Sequence, residues 1–351
     1  MRGMVLAAGR GERMRPLSHR LAKPALPVLT RPLLSFALDL FRRAGVVQAA
    51  VNTHHLPATI ETALKDWTPP GMRVETYHEE RLLGTAGGVK NAESTLAGGP
   101  FLLSNGDFVL DVDPKEVLQT HRRSGAAATM VLLPFQEHSG YAPVEAIDGK
   151  VVRIAGYPEW DAPAGERYIF AGLHVVEPSV LARIPAGQPM DINRQVYPAL
   201  LTAGETIAAH VVDTTWLEFG TPGEYLRRSL HLLDPLFGPL LQRVGVVVQG
   251  ESPNPYLAGP EVHLPAKVSL RAGVVLGDRV SLGRDVKIRR SIVWNDASLG
   301  YGCDVSDSIL GSGVILPPNS RFHHRIVLAR GDDLPQDAGG ERQGDLIHFR
   351  L

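Results

Sequence analysis

From the start of the chain to about Leu133, short apolar runs rich in β-branched residues alternate with stretches whose apolar positions recur at helical spacing. The runs are Met4 to Ala8, Val46 to Val51, Val74 to Tyr77, Phe101 to Ser104 and Thr129 to Leu133. Between them lie candidate helices at Leu33 to Ala44, Ala58 to Lys65, Val89 to Leu96 and Pro114 to Arg123. Gly45 stands where a left-handed helix end is favoured, and Asp113 where an N-cap accepts the first free amides. Strands alternating with helices of this length predict βαβ units around a mostly parallel, Rossmann-like α/β sheet. A ligand site is then expected at the carboxyl ends of the strands.

From Val262 the period changes to six. One column holds Val262, Val268, Val274, Val280, Val286 and Ile292, and a second, two residues later, holds Leu264, Leu270, Leu276, Leu282, Ile288 and Trp294. Helices repeat at 3.6 and ordinary strands at 2, so a hexapeptide period predicts a parallel β-solenoid whose flat faces each take one hexapeptide. The register slips by one near Val293, Leu299 and Val305, where a corner insertion is expected. Leu226 to Leu233 reads as a linking helix, followed by the Pro- and Gly-bearing stretch Asp234 to Gly245. The expected division is an α/β domain over 1–233, a linker over 234–260, the solenoid over 261–320 and a partly ordered tail over 321–351.

Across the 351 residues, 36 Lys and Arg face 37 Asp and Glu, leaving a net charge of −1. That balance argues against a nucleic-acid or membrane-surface binder driven by bulk charge. At 44% hydrophobic and 21% charged, the composition is that of a soluble globular chain. The lone Cys303 can form neither an intrachain disulfide nor a Cys-based zinc site, which fits a reducing compartment. The apolar run Met4 to Ala8 is too short for a signal-peptide core or a spanning helix, so a cytoplasmic location is expected.

Directly after the first strand comes Leu6-Ala7-Ala8-Gly9-Arg10-Gly11-Glu12-Arg13-Met14-Arg15-Pro16-Leu17, followed by Lys23-Pro24. Glycines after a strand let backbone N–H groups approach an anion, and Arg13, Arg15 and Lys23 would neutralise a polyphosphate. The spacing is neither a dinucleotide fingerprint nor a Walker loop, and the glycine pair alone is weak evidence for phosphate, a tight surface turn being the more common reading. As a whole, however, the run resembles the signature of the sugar-phosphate nucleotidyltransferases. Leu83 to Gly88 resembles that family's nucleobase-side loop, Asn105-Gly106-Asp107 its metal-binding strand end, and Trp216 to Pro222 its second metal motif. The hexapeptide region resembles the left-handed parallel β-helix of mannose-1-phosphate guanylyltransferases.

The resemblance implies transfer of a nucleotidyl group from a nucleoside triphosphate to a sugar 1-phosphate, giving an NDP-sugar and pyrophosphate. Two polyanions must then meet, so charge neutralisation and in-line positioning are the protein's task. It implies that Arg13, Lys23 and Asp107 are catalytic, and that Leu6, Ala7, Ala8, Gly9, Gly11, Gly84 and Thr85 hold the nucleotide. Mg2+ would sit on Asp107 and Glu218, although the family usually has Asp at the second position. Glu145 and Gly172 would face the sugar. A lysine usual on the sugar-phosphate side is missing from Arg153 to Glu159, leaving Arg153 or Arg167 as substitutes.

Mannose-1-phosphate guanylyltransferase-like activity is the favoured expectation, with uridylyl or thymidylyl transfer to another sugar 1-phosphate, or a non-catalytic nucleotide-sugar-binding relative, as alternatives. Acyl transfer is a further alternative, because β-helices also form acyltransferases. Neither nucleic acid nor membrane is expected as a partner, whereas a homo-oligomer is. The pairs His54-His55 and His323-His324 invite a metal reading, but adjacent histidines point apart and lack an acidic partner at ligand spacing. Asp191 reads as an N-cap before the apolar face of Val196, Leu200 and Leu201.

Overall fold

The computed structural model describes residues 1–137, 140–159, 165–331, 334 and 339–351. The chain forms two compact units, one of Met1–Arg10 with Leu33–Glu218, the other of Gly11–Pro32 with Phe219–Leu351.

The first unit is built on a nine-stranded sheet. Its order is Arg73–His78, Gln48–Thr53, Arg2–Leu6, Phe101–Asn105, Glu166–Val176, Ala128–Pro134, Ile207–Val211, Lys150–Ile154, Val144–Ile147. The strands share one direction except Glu166–Val176 and Lys150–Ile154, which run against their neighbours. Each apolar run of the sequence became a strand. Arg2–Leu6 is central because Met4 and Val5 are apolar on both faces, and they pair in parallel with Gln48–Thr53 on one side and Phe101–Asn105 on the other. Gly3 lets helix Leu34–Arg43 press close, since a Cβ there would stand 2.7 Å from Phe41 Cδ2. Asp113 caps helix Pro114–Ser124 as expected, its carboxylate accepting the Lys115 amide at 2.9 Å. One helix differs from expectation: Val89 to Leu96 is the end of a helix that starts at Gly84, breaks at Ala92 and resumes as Glu93–Leu96. Two glycines of low helix propensity, Gly87 and Gly88, hid its start. Both are needed there, because a Cβ on either would lie 2.6 Å from another segment.

In the second unit the hexapeptide columns wind into a parallel β-helix. Leu270 pairs with Ile288, Ile288 with Val305 and Val305 with Phe322, while Leu282, Leu299 and Leu316 stack on a second face. On the third, Leu276, Val293, Leu310 and Val327 stack. These residues form the buried core of the coil. The slip in register is a shortening, not the expected insertion: the steps Ile288 to Val293 and Val305 to Leu310 span five residues each, where the other faces take six. Left-handed residues Arg290, Asp307 and His324 turn the chain at that corner on successive coils. Described residues of the segment expected as a tail also form strands. Arg321–His323 and Arg325–Ala329 continue the coil, and Leu346–Arg350 and Glu341–Gln343 add antiparallel strands beside it, burying Leu346 and Ile347.

Candidate active site

The signature segment is folded on itself. Gly11 adopts φ 61°, and its carbonyl accepts the Ser18 hydroxyl at 2.8 Å. A Cβ on Gly11 would meet Lys23 Cβ at 3.2 Å and Ser18 Cβ at 3.3 Å, so the turn, the hydroxyl and the lysine stem are packed together. Met14 and Leu17 anchor the following turns in the core, whereas Arg13, just before them, is exposed. A side chain at Gly220 would stand 3.7 Å from Arg13 Nη1 and 2.7 Å from Glu224 Oε2, which puts that guanidinium beside the start of helix Pro222–His231.

In the first unit, Leu6, Ala7 and Ala8 leave the central strand and Gly9 follows, exposed, with nothing near its Cβ position. The Ala7 amide donates to Asn52 Oδ1 at 2.7 Å, and Asn52 Nδ2 donates to Glu79 Oε1 at 2.7 Å. Glu79 Oε2 accepts the Leu83 amide at 2.8 Å. Both polar side chains are buried at the carboxyl ends of neighbouring parallel strands. They tie the first strand's exit to the start of the glycine-rich helix. The sequence motifs give neither Asn52 nor Glu79 a role. The available signal was a polar residue ending each of two consecutive strands.

The loop Leu83 to Gly88 is clamped against residues 188–192. Gly84 has φ 69°, and a Cβ on it would lie 2.6 Å from the Met190 carbonyl oxygen. The Ala86 amide donates to that carbonyl at 2.9 Å, and the Thr85 hydroxyl accepts the Ile192 amide at 2.8 Å. Thr85 thus spends its oxygen on the backbone.

Asp107 and Glu218 line a single cavity of about 250 Å3. Strand Trp216–Glu218 pairs antiparallel with Phe108–Leu110, and Glu218 lies opposite Phe108, the residue after Asp107. Tyr141 donates its hydroxyl to Glu218 Oε2 at 2.5 Å and packs edge-on against Trp216, with ring centroids 5.2 Å apart. Gly172 is on the same wall, in a bulge where strand Glu166–Val176 shifts register between Phe170 and His174. Its φ is 89°, and a Cβ would collide with Phe108 Cε1 at 2.6 Å. Two hard carboxylates on one cavity would suit a divalent cation that completes its shell with water and substrate oxygens.

Glu145 is not among the described residues lining this cavity; its Oε2 takes Arg153 Nη1 at 2.9 Å. Arg167 is likewise elsewhere, its guanidinium 4.5 Å above the Phe135 ring and 3.5 Å from Glu137. The cavity's cation is Arg194, which sequence reasoning missed, with Asn193 beside it. Asp191 does cap as expected, accepting the amides of Asn193 and Arg194 at 2.9 and 2.8 Å, and so aims this turn. Asn193 Oδ1 is buried without a hydrogen-bond partner, the condition of an acceptor that awaits a donor. Cys303 is buried, donates to the Pro317 carbonyl at 3.2 Å, and burial pushes its thiol pKa up, so it is inert core. No helix among the described residues is long and apolar enough to cross a membrane.

Residues 2–234 match the nucleotidyl transferase family model. The chain is 30% identical to a mannose-1-phosphate guanylyltransferase of Mycobacterium tuberculosis, over 86% of this chain and 81% of that protein. It is 27% identical to a UTP–glucose-1-phosphate uridylyltransferase of Synechocystis, over 94% and 88%. Among solved structures, HddC from Yersinia pseudotuberculosis matches in fold with a TM-score of 0.54 at 20% identity, over 65% of this chain and 97% of that one. From the family model and the length of these matches, the chain belongs to the nucleotidyl transferase family.

Proposed function

We propose that the protein transfers a guanylyl group from GTP to mannose 1-phosphate, releasing pyrophosphate, and that Asp107 and Glu218 hold the Mg2+ the reaction uses. Formation of an NDP-sugar is the activity that the named relatives have in common. The observation that carries the reading is the strand pairing that brings Asp107 and Glu218 to one cavity wall. When bound there, the ion would draw charge from phosphate oxygens and lower the repulsion between the two substrates. Arg13 neutralises the triphosphate and the leaving pyrophosphate, and Lys23 contacts the α-phosphate or the attacking sugar phosphate. The backbone from Leu6 to Gly11 holds the nucleotide, with Gly84 and Thr85 toward the base. Gly172 keeps room for the hexose, and Arg194 supplies the cation on the sugar-phosphate side, where Arg153 and Arg167 are engaged with Glu145 and Glu137. Residues 1–233 act as the catalytic domain, and the β-helix serves self-association in a cytoplasmic homo-oligomer.

Guanine and mannose are favoured over uracil and glucose because the relative at 30% identity is a mannose-1-phosphate guanylyltransferase, whereas the uridylyltransferase is 27% identical. The test is kcat/KM for GTP and UTP, each with mannose 1-phosphate and glucose 1-phosphate. A ratio of about 100 or more for the GTP and mannose 1-phosphate pair is expected, the range that pocket contacts can supply. A higher kcat/KM for UTP with glucose 1-phosphate would reverse the assignment. Arg194→Gln should raise KM for the sugar phosphate at least about ten-fold and leave KM for the nucleotide near wild type.

A further inference from the structure

Two segments distant in sequence contribute to the cavity of Asp107 and Glu218: Phe170 to Gly172 in the bulge of strand Glu166–Val176, and Asn193 with Arg194 in the turn after Asp191. No strand pairing joins the two among the described residues. A side-chain hydrogen bond does. The Tyr197 hydroxyl and His174 Nδ1 are 2.9 Å apart, and the two residues are 0% and 1% exposed. Neither lines the cavity.

Each partner stands where its segment is shaped. The strand pairs Phe170 with Leu132 and His174 with Met130, so Ala171, Gly172 and Leu173 stand opposite Val131 alone, and His174 is the residue at which pairing resumes. Four residues of regular strand would span about 13 Å. The bulge instead brings the Phe170 and His174 rings to 4.2 Å between centroids, which closes it on itself. On the other side, the Tyr197 amide donates to the Ile192 carbonyl and so ends the turn Ile192–Val196 that carries Asn193 and Arg194. The Tyr197 ring meets the His174 ring edge-on at 5.5 Å. Burial lowers the His174 pKa to about 3 and raises that of the Tyr197 hydroxyl, so both partners are uncharged at neutral pH. Apolar packing is non-directional, whereas a hydrogen bond demands both a distance and an angle. Tyr197 lies in the apolar core, where the polar groups of the pair would be costly to leave unpaired.

We propose that the hydrogen bond between His174 and Tyr197 is a brace that sets the Gly172 bulge against the Arg194 turn, and thereby sets the affinity of the cavity for the sugar 1-phosphate. Both are positioning residues. The effect on turnover rests on the nucleotidyltransferase reading, whereas the brace does not. The bulge also carries its own reporter, because Trp216 Nε1 donates to the Ala171 carbonyl at 2.9 Å.

The test compares the wild type with Tyr197→Phe and with His174→Phe/Tyr197→Phe. In Tyr197→Phe, KM for the sugar 1-phosphate should rise about ten-fold or more, with KM for the nucleotide near wild type. A merely structural role would lower the folded fraction, and with it the apparent kcat, at unchanged KM for both substrates; that result would overturn the proposal. The double variant replaces both polar partners by apolar rings, so its melting temperature should recover toward wild type while KM for the sugar 1-phosphate stays raised. Recovery of KM together with the melting temperature would show that packing, not the hydrogen bond, sets the walls, and would overturn the brace. Fluorotryptophan labelling gives an independent readout, with the Trp216 signal assigned by its loss in Trp216→Phe. The fluorine NMR signal of Trp216 should shift in Tyr197→Phe while that of Trp294 stays in place. An unmoved Trp216 signal would overturn the brace whatever the reaction. Absence of turnover by the wild type with every substrate pair would count against the proposed reaction and leave the Trp216 signal to decide the brace.

Discussion

Asn52 donates its side-chain amide to the carboxylate of Glu79 at 2.7 Å, and both side chains are buried. The contact joins the ends of two parallel strands and, through the Ala7 and Leu83 amides, fixes both loops that would flank a nucleotide. Asn52→Ala strands the Ala7 amide and one oxygen of Glu79. It should cost about 1–3 kcal/mol of stability, read from urea midpoints, and should raise KM for the nucleotide. Unchanged stability and KM would show that water replaces the amide at no cost.

The Tyr141 hydroxyl donates to Glu218 Oε2 at 2.5 Å and so orients the carboxylate. Removing it with Tyr141→Phe leaves the carboxylate in place and frees its orientation. The Mg2+ concentration for half-maximal rate should rise about 10-fold or more, the usual effect of losing a group that orients a metal-binding side chain. Thermal stability should stay near wild type. An unchanged Mg2+ requirement would mean that Glu218 does not hold the ion.

Gly172 has a backbone conformation and a neighbour that both exclude a side chain. Gly172→Ala places a methyl 2.6 Å from the Phe108 ring at φ 89°, so this ring, which lines the cavity, must shift. A loss of about 1–3 kcal/mol in stability and a larger rise in KM for the sugar phosphate than for the nucleotide are expected. Equal changes in both KM values would detach Gly172 from the sugar side.

Burial pulls the His174 pKa down to about 3 from its ordinary 6.5. The folded protein therefore keeps this imidazole neutral while the unfolded chain takes up a proton. Its contribution is complete above about pH 6.5 and is lost as the pH falls toward 3, at up to ~1.4 kcal/mol per pH unit. Urea midpoints at about pH 7.5 and about pH 5.5 should differ less in His174→Phe than in the wild type. An equal difference would place the acid sensitivity elsewhere.

The parts of this molecule legible from its sequence are those with a period or a local chemical reason. The hexapeptide columns became the stacked faces of the coil, and Asp113 and Asp191 cap helical turns because a cap is decided within three residues. The start of the helix at Gly84 was hidden because its glycines answer to contacts with Gln188, Met190 and Asn52, segments distant in sequence. The shortened corner of the coil was hidden because Ile292 and Trp294, both apolar, continue the six-residue columns past it, while the stacked residue is Val293 between them. Tyr141 and Arg194 carry no motif, and only strand pairing and the cap at Asp191 bring them to the cavity of Asp107 and Glu218. The closing strands at Glu341 and Leu346 are short, exposed on one side and without a repeat, which gives no pattern to read.

The most direct test is release of pyrophosphate from GTP and mannose 1-phosphate with Mg2+, measured with the NDP-sugar formed, for the wild type, Asp107→Asn and Arg13→Ala. The account predicts one pyrophosphate per NDP-sugar in the wild type, and a loss of at least about 100-fold in kcat for either variant with the fold retained. Wild-type rates in Asp107→Asn, or pyrophosphate released without an NDP-sugar, would contradict it.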